Sequence, residues 1–247
     1  MLLELSSLGV TYGGVRAVDG VSMTLEAGRL VGLIGPNGAG KTTLIDAVTG
    51  FTPYDGTVCL ADRPLEGLGP HRRARAGLAR TFQSVELFDD LDVAGNLLVA
   101  ATPSPWWAPL ADAVRPGRRS GRGGIDGAVE LLGIGHLVDR RPGDLSDGER
   151  KLVGVGRALA TGPQVLLLDE PAAGLDTSES VVLGERLRRI VDTGVAVLLV
   201  DHDMDLVLGV CDEVHVIERG RLIASGPTSA VRDDEQVVAA YLGHGVR

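Results

Sequence analysis

The run Arg29-Leu30-Val31-Gly32-Leu33-Ile34 reads as a short buried strand, and it leads straight into Gly35-Pro36-Asn37-Gly38-Ala39-Gly40-Lys41-Thr42-Thr43. Thr42 to Val48 then has the pattern of a helix that stops near Gly50. Strand, glycine loop and helix in this order fit G-x-x-x-x-G-K-[ST], a phosphate-binding loop. The glycines let the backbone curl until several N–H groups point inward at phosphate oxygens, and the helix presents its positive end to the same anion. Lysine reaches the β- and γ-phosphates as a compact point charge, a role that a broad guanidinium fills poorly. Thr42 offers a hydroxyl to Mg²⁺. The choice of lysine is pointed, because the chain holds two lysines against twenty-two arginines. A glycine-rich turn before a helix would look similar in a chain with 35 glycines, so the rest of the sequence has to decide.

A length of 247 residues allows one large domain, or a core with a smaller inserted lobe. The hydrophobic content of 44% belongs to a folded protein, and the net charge of −9 argues against general nucleic-acid binding, which needs a basic face. Cys59 and Cys211 are too few and too scattered for a disulfide framework or a zinc site, which suits a reducing compartment. Met1-Leu2-Leu3-Glu4-Leu5 lacks a basic lead and a sustained apolar run, so no signal peptide is expected. No stretch approaches the roughly 20 apolar residues that span a bilayer. A membrane role would have to come through a partner.

The first sixty residues look β-rich. Leu2–Tyr12, Val21–Leu25 and Thr57–Leu60 are strand-like, separated by Gly13-Gly14, Gly20 and Asp55-Gly56. Helical patterns cover 92–101 and 125–132. Between them, 103–124 carries Trp106, Trp107, Arg115, Arg118, Arg119 and Arg122 among glycines and prolines, and reads as a flexible connection. It is either a solvated loop or a contact with acidic headgroups or a partner. From Val165 onward strand-like and helical segments alternate, which implies a mainly parallel sheet covered by helices. Leu183, Leu187, Ile190 and Val191 share one face of a helix over 178–192, and Val214–Glu218 with Arg221–Ser225 make a late hairpin.

A second acidic motif decides between phosphate loop and ordinary turn. Val165-Leu166-Leu167-Leu168-Asp169-Glu170 is an apolar strand that carries two carboxylates to its C-terminal tip, where ligands of parallel sheets gather. Asp169 is placed to hold Mg²⁺, and Glu170 to orient or deprotonate an attacking water. Ser146-x-x-Glu149, within Leu145-Ser146-Asp147-Gly148-Glu149-Arg150, is a capping box that starts a helix. A capped helix start is also an anion site, and Gly148 leaves room for a phosphate to approach.

With these residues in view, the sequence resembles the ATP-binding cassette (ABC) family, whose helical lobe carries Leu-Ser-Gly-Gly-Gln between phosphate loop and acidic strand. This chain keeps Leu145, Ser146 and Gly148 but has Asp147 and Glu149 at the other places. Arg80-Thr81-Phe82-Gln83 looks like the family's glutamine loop, Pro171-Ala172-Ala173-Gly174-Leu175-Asp176 like its D-loop and Asp201-His202 like its switch histidine. Tyr12 looks like the aromatic that stacks on adenine, with Val18 nearby. Arg80–Gln83 with Leu87-Phe88, the run from Leu168 to Leu175 and the ending Ala239-Ala240-Tyr241-Leu242-Gly243 resemble the branched-chain amino-acid importers. Gly148-Glu149-Arg150 and Val200-Asp201-His202-Asp203 also resemble the ATPase of the lipopolysaccharide transporter, since the importers more often have glutamate before the histidine.

The resemblance implies an α/β fold of P-loop NTPase type. Its nucleotide-binding core and antiparallel β lobe would occupy 1–84 and 158–247, and a helical lobe would be inserted at 85–157. It implies ATP hydrolysis with Mg²⁺ between two cassettes in head-to-tail contact. Lys41 and the loop from Gly35 to Thr43 would hold the phosphates, while Thr42, Gln83 and Asp169 serve the metal. Glu170 would activate water, His202 would contact the γ-phosphate, and Asp176 would lie in the D-loop. Ser146, Asp147, Gly148 and Glu149 would act from the opposite subunit. Implied partners are a second ATP-binding subunit, integral permeases and an extracytoplasmic binding protein, with the chain peripheral on the cytoplasmic face of the membrane. A soluble ABC ATPase with no transport role is the alternative from another class. Such proteins usually fuse two cassettes or insert a long coiled coil, and this chain has neither.

Overall fold

The computed structural model describes residues 1–82, 86–101, 122–232, 234 and 236–237. Gln83, most of the Trp/Arg/Gly-rich connection and the Ala239–Gly243 ending lie outside the described residues. The first stretch contains β1 (Leu3–Tyr12), β2 (Val15–Leu25), β3 (Leu30–Ile34), α1 (Lys41–Thr49), β4 (Asp55–Leu60), β5 (Arg63–Pro64), α2 (Pro70–Arg75) and β6 (Leu78–Arg80). Among the described residues the α-helices α3 (Val93–Ala101), α4 (Arg122–Leu132) and α5 (Asp147–Ala160) follow. The remainder alternates as β7 (Val165–Asp169), α6 (Thr177–Asp192), β8 (Ala196–Val200), α7 (Met204–Val210), β9 (Glu213–Glu218), β10 (Arg221–Pro227) and α8 (Thr228–Arg232). These elements form two compact units, one of residues 1–83 with 164–247 and one of residues 84–163.

The first unit holds two sheets. One is antiparallel, in the order β2-β1-β4-β5; the other has six strands in the order β10-β9-β3-β8-β7-β6. In the second, β9, β3, β8, β7 and β6 pair in parallel and only β10 runs antiparallel. β3, β7 and β8 are buried at every position, which accounts for their unbroken apolar sequence. The main core gathers Leu3, Leu5 and Leu8 of β1, Leu44, Ile45 and Val48 of α1, and Leu33, Leu167 and Leu198 from the parallel strands. Buried Arg73 closes the far end of α1: its guanidinium donates to the carbonyls of Ala47 (3.0 Å), Val48 (2.7 Å) and Leu68 (2.8 Å) and to the Tyr54 hydroxyl (2.9 Å). A cation here meets the negative end of the helix.

Glycine misled the sequence reading at two places. Gly20 was expected to precede a strand starting at Val21; instead it lies inside β2 at φ 67°, and the strand begins at Val15 after a two-residue Gly13–Gly14 turn. The second place is in the unit of residues 84–163. The flexible connection was expected to reach Gly124, yet α4 starts at Arg122. Gly124 is there because α4 crosses the end of α5 closely: a Cβ would sit 2.8 Å from the Ala160 carbonyl oxygen. Among the described residues no helix is long and apolar enough to cross a membrane.

The strand order matters most for the site. Because β3, β8, β7 and β6 are consecutive neighbours and parallel, the loops after Ile34, Val200, Asp169 and Arg80 emerge side by side along one sheet edge.

Candidate functional site

At the end of β3 the chain must pass very close to other backbone. A Cβ on Gly35 would lie 2.1 Å from the Ile217 carbonyl oxygen, and one on Gly40 would lie 2.4 Å from that of Ala17. Only glycine fits at either end of the loop. The β9–β10 turn braces the middle, where Gly220 donates its N–H to Ala39 O at 2.9 Å. Pro36, Asn37 and Gly38 carry the loop outward, with Asn37 and Gly38 exposed. The first intrahelical bond of α1 runs from Leu44 N–H to Gly40 O (2.9 Å), so the amides of Lys41, Thr42 and Thr43 precede it. Lys41 is 6% exposed, and its Nζ donates back to the carbonyls of Gly35 (2.6 Å) and Pro36 (3.1 Å). Burial pulls the pKa of Lys41 down, against the opposing pull of Glu170, Asp169 and Asp201. The charges of these three carboxylates therefore favour the protonated lysine.

Asp169 is 3% exposed at the tip of β7, and Thr42 Oγ1 donates to its Oδ1 at 3.5 Å. Its own N–H donates to Thr81 Oγ1 at 3.3 Å. Burial pushes the Asp169 pKa up, while the Arg80 guanidinium holds it down, with Nη2 at 3.6 Å from Oδ2. Arg80 also meets Asp46 Oδ1 at 2.5 Å and lies over the rings of Phe82 (4.4 Å) and Phe51 (5.5 Å). Glu170 takes a positive φ of 50°, uncommon for a side-chain-bearing residue, and its N–H donates to Val200 O at 2.7 Å.

Val200 leads into Asp201, which is fully buried. The Asp201 carboxylate accepts from the N–H groups of His202 (2.8 Å), Asp203 (3.1 Å) and, on its other oxygen, Ala172 (3.0 Å). His202 is exposed, with Nδ1 at 3.6 Å from Asp201 Oδ1. Tyr12 is 50% exposed and its hydroxyl bonds Thr52 Oγ1 at 2.9 Å, so its ring is available and its tip anchored. Val18 is different. Its side chain has no exposed surface and belongs to the core.

Ser146, of the motif expected to act from the opposite subunit, and Asp176, of the D-loop motif, both start helices. Ser146 caps α5, accepting from Glu149 N–H at 3.2 Å while Glu149 Oε2 accepts from Ser146 N–H at 2.8 Å. Gly148 is buried and Asp147 exposed. Arg140 reaches Glu149 Oε1 at 3.3 Å, partly neutralising the acid that replaces the family's glutamine. Asp176 caps α6 in the same way, accepting from Glu179 N–H (2.8 Å) and the Ser178 hydroxyl (2.6 Å), and these bonds hold its pKa down.

Residues 18–173 match the family profile described as ABC transporter, and residues 221–247 match one described as Branched-chain amino acid ATP-binding cassette transporter. The chain belongs to the ABC transporter family. It is 37% identical over 249 residues to the high-affinity branched-chain amino acid transport ATP-binding protein LivG of Salmonella typhimurium, covering 98% of each chain. It is 36% identical over 246 residues to the lipopolysaccharide export system ATP-binding protein LptB of Escherichia coli, covering 99% of this chain and 98% of that one. The crystal structure of the ADP conformation of MJ1267, an ATP-binding cassette of an ABC transporter, superposes with a TM-score of 0.86 at 31% identity, covering 98% and 99% of the two chains. The α/β architecture is therefore that of an ABC ATPase.

In this ABC ATPase the sheet edge brings the loops of Lys41, Asp169, Glu170 and His202 together. Sequence reasoning missed three supporting groups: Arg80 against Asp169, the Gly220 brace on the loop and the three-way acceptor at Asp201. Arg80 and Asp201 sat inside quoted motifs as flanking letters. Only the pairing of distant strands gives them a job.

Proposed function

We propose that this ABC ATPase drives import of branched-chain amino acids or related small polar solutes. It would act as a peripheral subunit on the cytoplasmic face, with a second ATP-binding subunit, integral permeases and an extracytoplasmic binding protein. The observation that carries the substrate class is the match of residues 221–247 to the branched-chain amino acid profile. A lipopolysaccharide-type transporter is the second reading, favoured by Gly148-Glu149-Arg150 and by the aspartate before His202. Vesicles carrying the chain with its permeases should accumulate radiolabelled leucine on addition of ATP and leucine-loaded binding protein. ATP-driven extraction of lipopolysaccharide without leucine uptake would overturn the importer reading.

For hydrolysis, the Lys41 ammonium exchanges its two carbonyls for β- and γ-phosphate oxygens, and the amides at the start of α1 meet the same anion. Adenine stacks on the exposed Tyr12 ring. The Thr42 hydroxyl and the Asp169 carboxylate fit Mg²⁺: they are hard oxygen donors already facing each other, and Asp169 is a buried acid whose charge a cation would stabilise. Gln83 joins them by resemblance. When bound, Mg²⁺ offsets charge on the transferring phosphoryl group. Glu170 orients the attacking water and accepts its proton, and His202 holds the γ-phosphate. Ser146 and Gly148, with Asp147 and Glu149, close the site from the second subunit, and Asp176 lies in the D-loop between the two. Glu170→Gln keeps size and hydrogen bonding but cannot take the proton. ATP binding should survive, turnover should fall by at least about a hundredfold, and an ATP-bound dimer should accumulate on a sizing column. Near-normal turnover would remove Glu170 as the base.

A further inference from the structure

Two consecutive links join the loop after β7 to the loop after β8. The first is backbone, Glu170 N–H to Val200 O at 2.7 Å. The second is the Asp201 carboxylate, with Oδ2 on Ala172 N–H at 3.0 Å and Oδ1 on the N–H groups of His202 at 2.8 Å and Asp203 at 3.1 Å. A fully buried carboxylate is tolerated only where its oxygens are satisfied, and charge-assisted bonds to backbone are both strong and directional. Asp203 extends the tie by capping α7, accepting from Leu206 N–H at 3.0 Å. The backbone on both sides of this carboxylate carries chemistry: Glu170 lies two residues before Ala172, and His202 directly follows Asp201.

We propose that Asp201 is a positioning residue that locks the Glu170 loop to the His202 loop, so that water activation and γ-phosphate contact are set by one buried side chain. The proposal rests on the roles given above to Glu170 and His202. Asp201 touches neither substrate nor metal. It acts through the backbone, and its effect belongs to the catalytic step and not to ATP capture.

Asp201→Asn is the sharp test. The amide keeps the volume, but one of its two faces now donates. Whichever way it lies, either Ala172 N–H or the His202 and Asp203 pair meets a donor. In the full-length chain, kcat should fall at least about tenfold, as small misplacements of reacting groups do. The Kd for a fluorescent ATP analogue should stay within about twofold, because the Asp201 hydrogen bonds go to Ala172, His202 and Asp203 and none goes to the phosphate loop. Combined with His202→Ala, the Asn change should cost less than it does alone, since part of its effect runs through His202. Wild-type kcat, an equal loss in binding and kcat, or full additivity with His202→Ala would overturn the proposal. Should the Asn variant fail to fold, Asp201→Ser, whose single oxygen can serve only one loop, should give the same split between kcat and Kd. If neither folds, Asp201 is a packing residue and the proposal falls. Glu170→Gln and His202→Ala serve as controls. Full turnover in those variants would refute the site assignment itself, separately from the clamp.

Discussion

At the scale of the residue, Lys41 is held by two carbonyls at a depth where a planar guanidinium has a different shape and reach. Lys41→Arg should therefore lower kcat/KM at least about tenfold despite keeping the charge, measured by phosphate release; unchanged kinetics would contradict the phosphate-loop geometry. His215 gives a pH prediction. It is 5% exposed, neither ring nitrogen has a hydrogen-bond partner among the described residues, and burial lowers its pKa although Glu213 Oε1 lies 3.6 Å away. The unfolded chain takes up the proton near the ordinary histidine value while the folded chain resists. Stability is thus full above about pH 6.5 and declines as pH falls toward the depressed folded value. His215→Met should remove that share of the slope, at most about 1.4 kcal/mol per pH unit, in urea melts at pH 7.5 and 5.5. Parallel slopes would show that folding leaves the His215 pKa where it is in the unfolded chain. Residue types at the site were legible because a phosphate loop needs its glycines and lysine. The burial of Val18 was not legible, because being near Tyr12 says nothing about which side of the sheet a side chain takes.

Among elements, the helix expected from the Ser146–Glu149 capping box is present with its cap formed, since a capping box is set by residues three apart, and Asp176 caps α6 in the same way. Such caps also let stability and function be separated. Asp176→Ser preserves an N-cap acceptor and should leave stability within about 0.5 kcal/mol, whereas Asp176→Ala should cost about 1 kcal/mol. If Asp176 serves the D-loop, both should lose turnover; loss in the alanine variant alone would assign it to capping only. Gly20 and Gly124 were read as breaks because glycine marks turns, positive φ inside a strand and close approaches alike: Gly20 takes a φ of 67° within β2, whereas Gly124 lies against the Ala160 carbonyl. α1 depends on a partner no periodicity reveals. Arg73→Met would remove the guanidinium donor from the Val48 carbonyl and leave Ala47 with the Gly50 N–H alone, and should lower unfolding free energy by about 2–4 kcal/mol, read by urea denaturation. A change below about 0.5 kcal/mol would mean that water replaces the guanidinium there.

For the whole molecule, the alternation of strands and helices after Val165 was readable, but the lateral order was not, because β3 pairs with strands more than 150 residues away. That order is what sets the catalytic loops in one row. Assembly can be tested by complementation. Ser146→Arg and Lys41→Ala chains, each inactive alone, should regain turnover when mixed if sites are shared between two chains. A chain that works at full specific rate when dilute and monomeric would refute sharing. One further property follows from the scarcity of lysine. Its two ε-amines are sheltered, with Lys41 6% exposed and the Lys151 Nζ buried. A mild acylating reagent therefore meets almost no competing side-chain amine. The rate at which Lys41 is acylated, followed by mass spectrometry, becomes a nearly background-free footprint of how often the loop opens, and nucleotide should protect it.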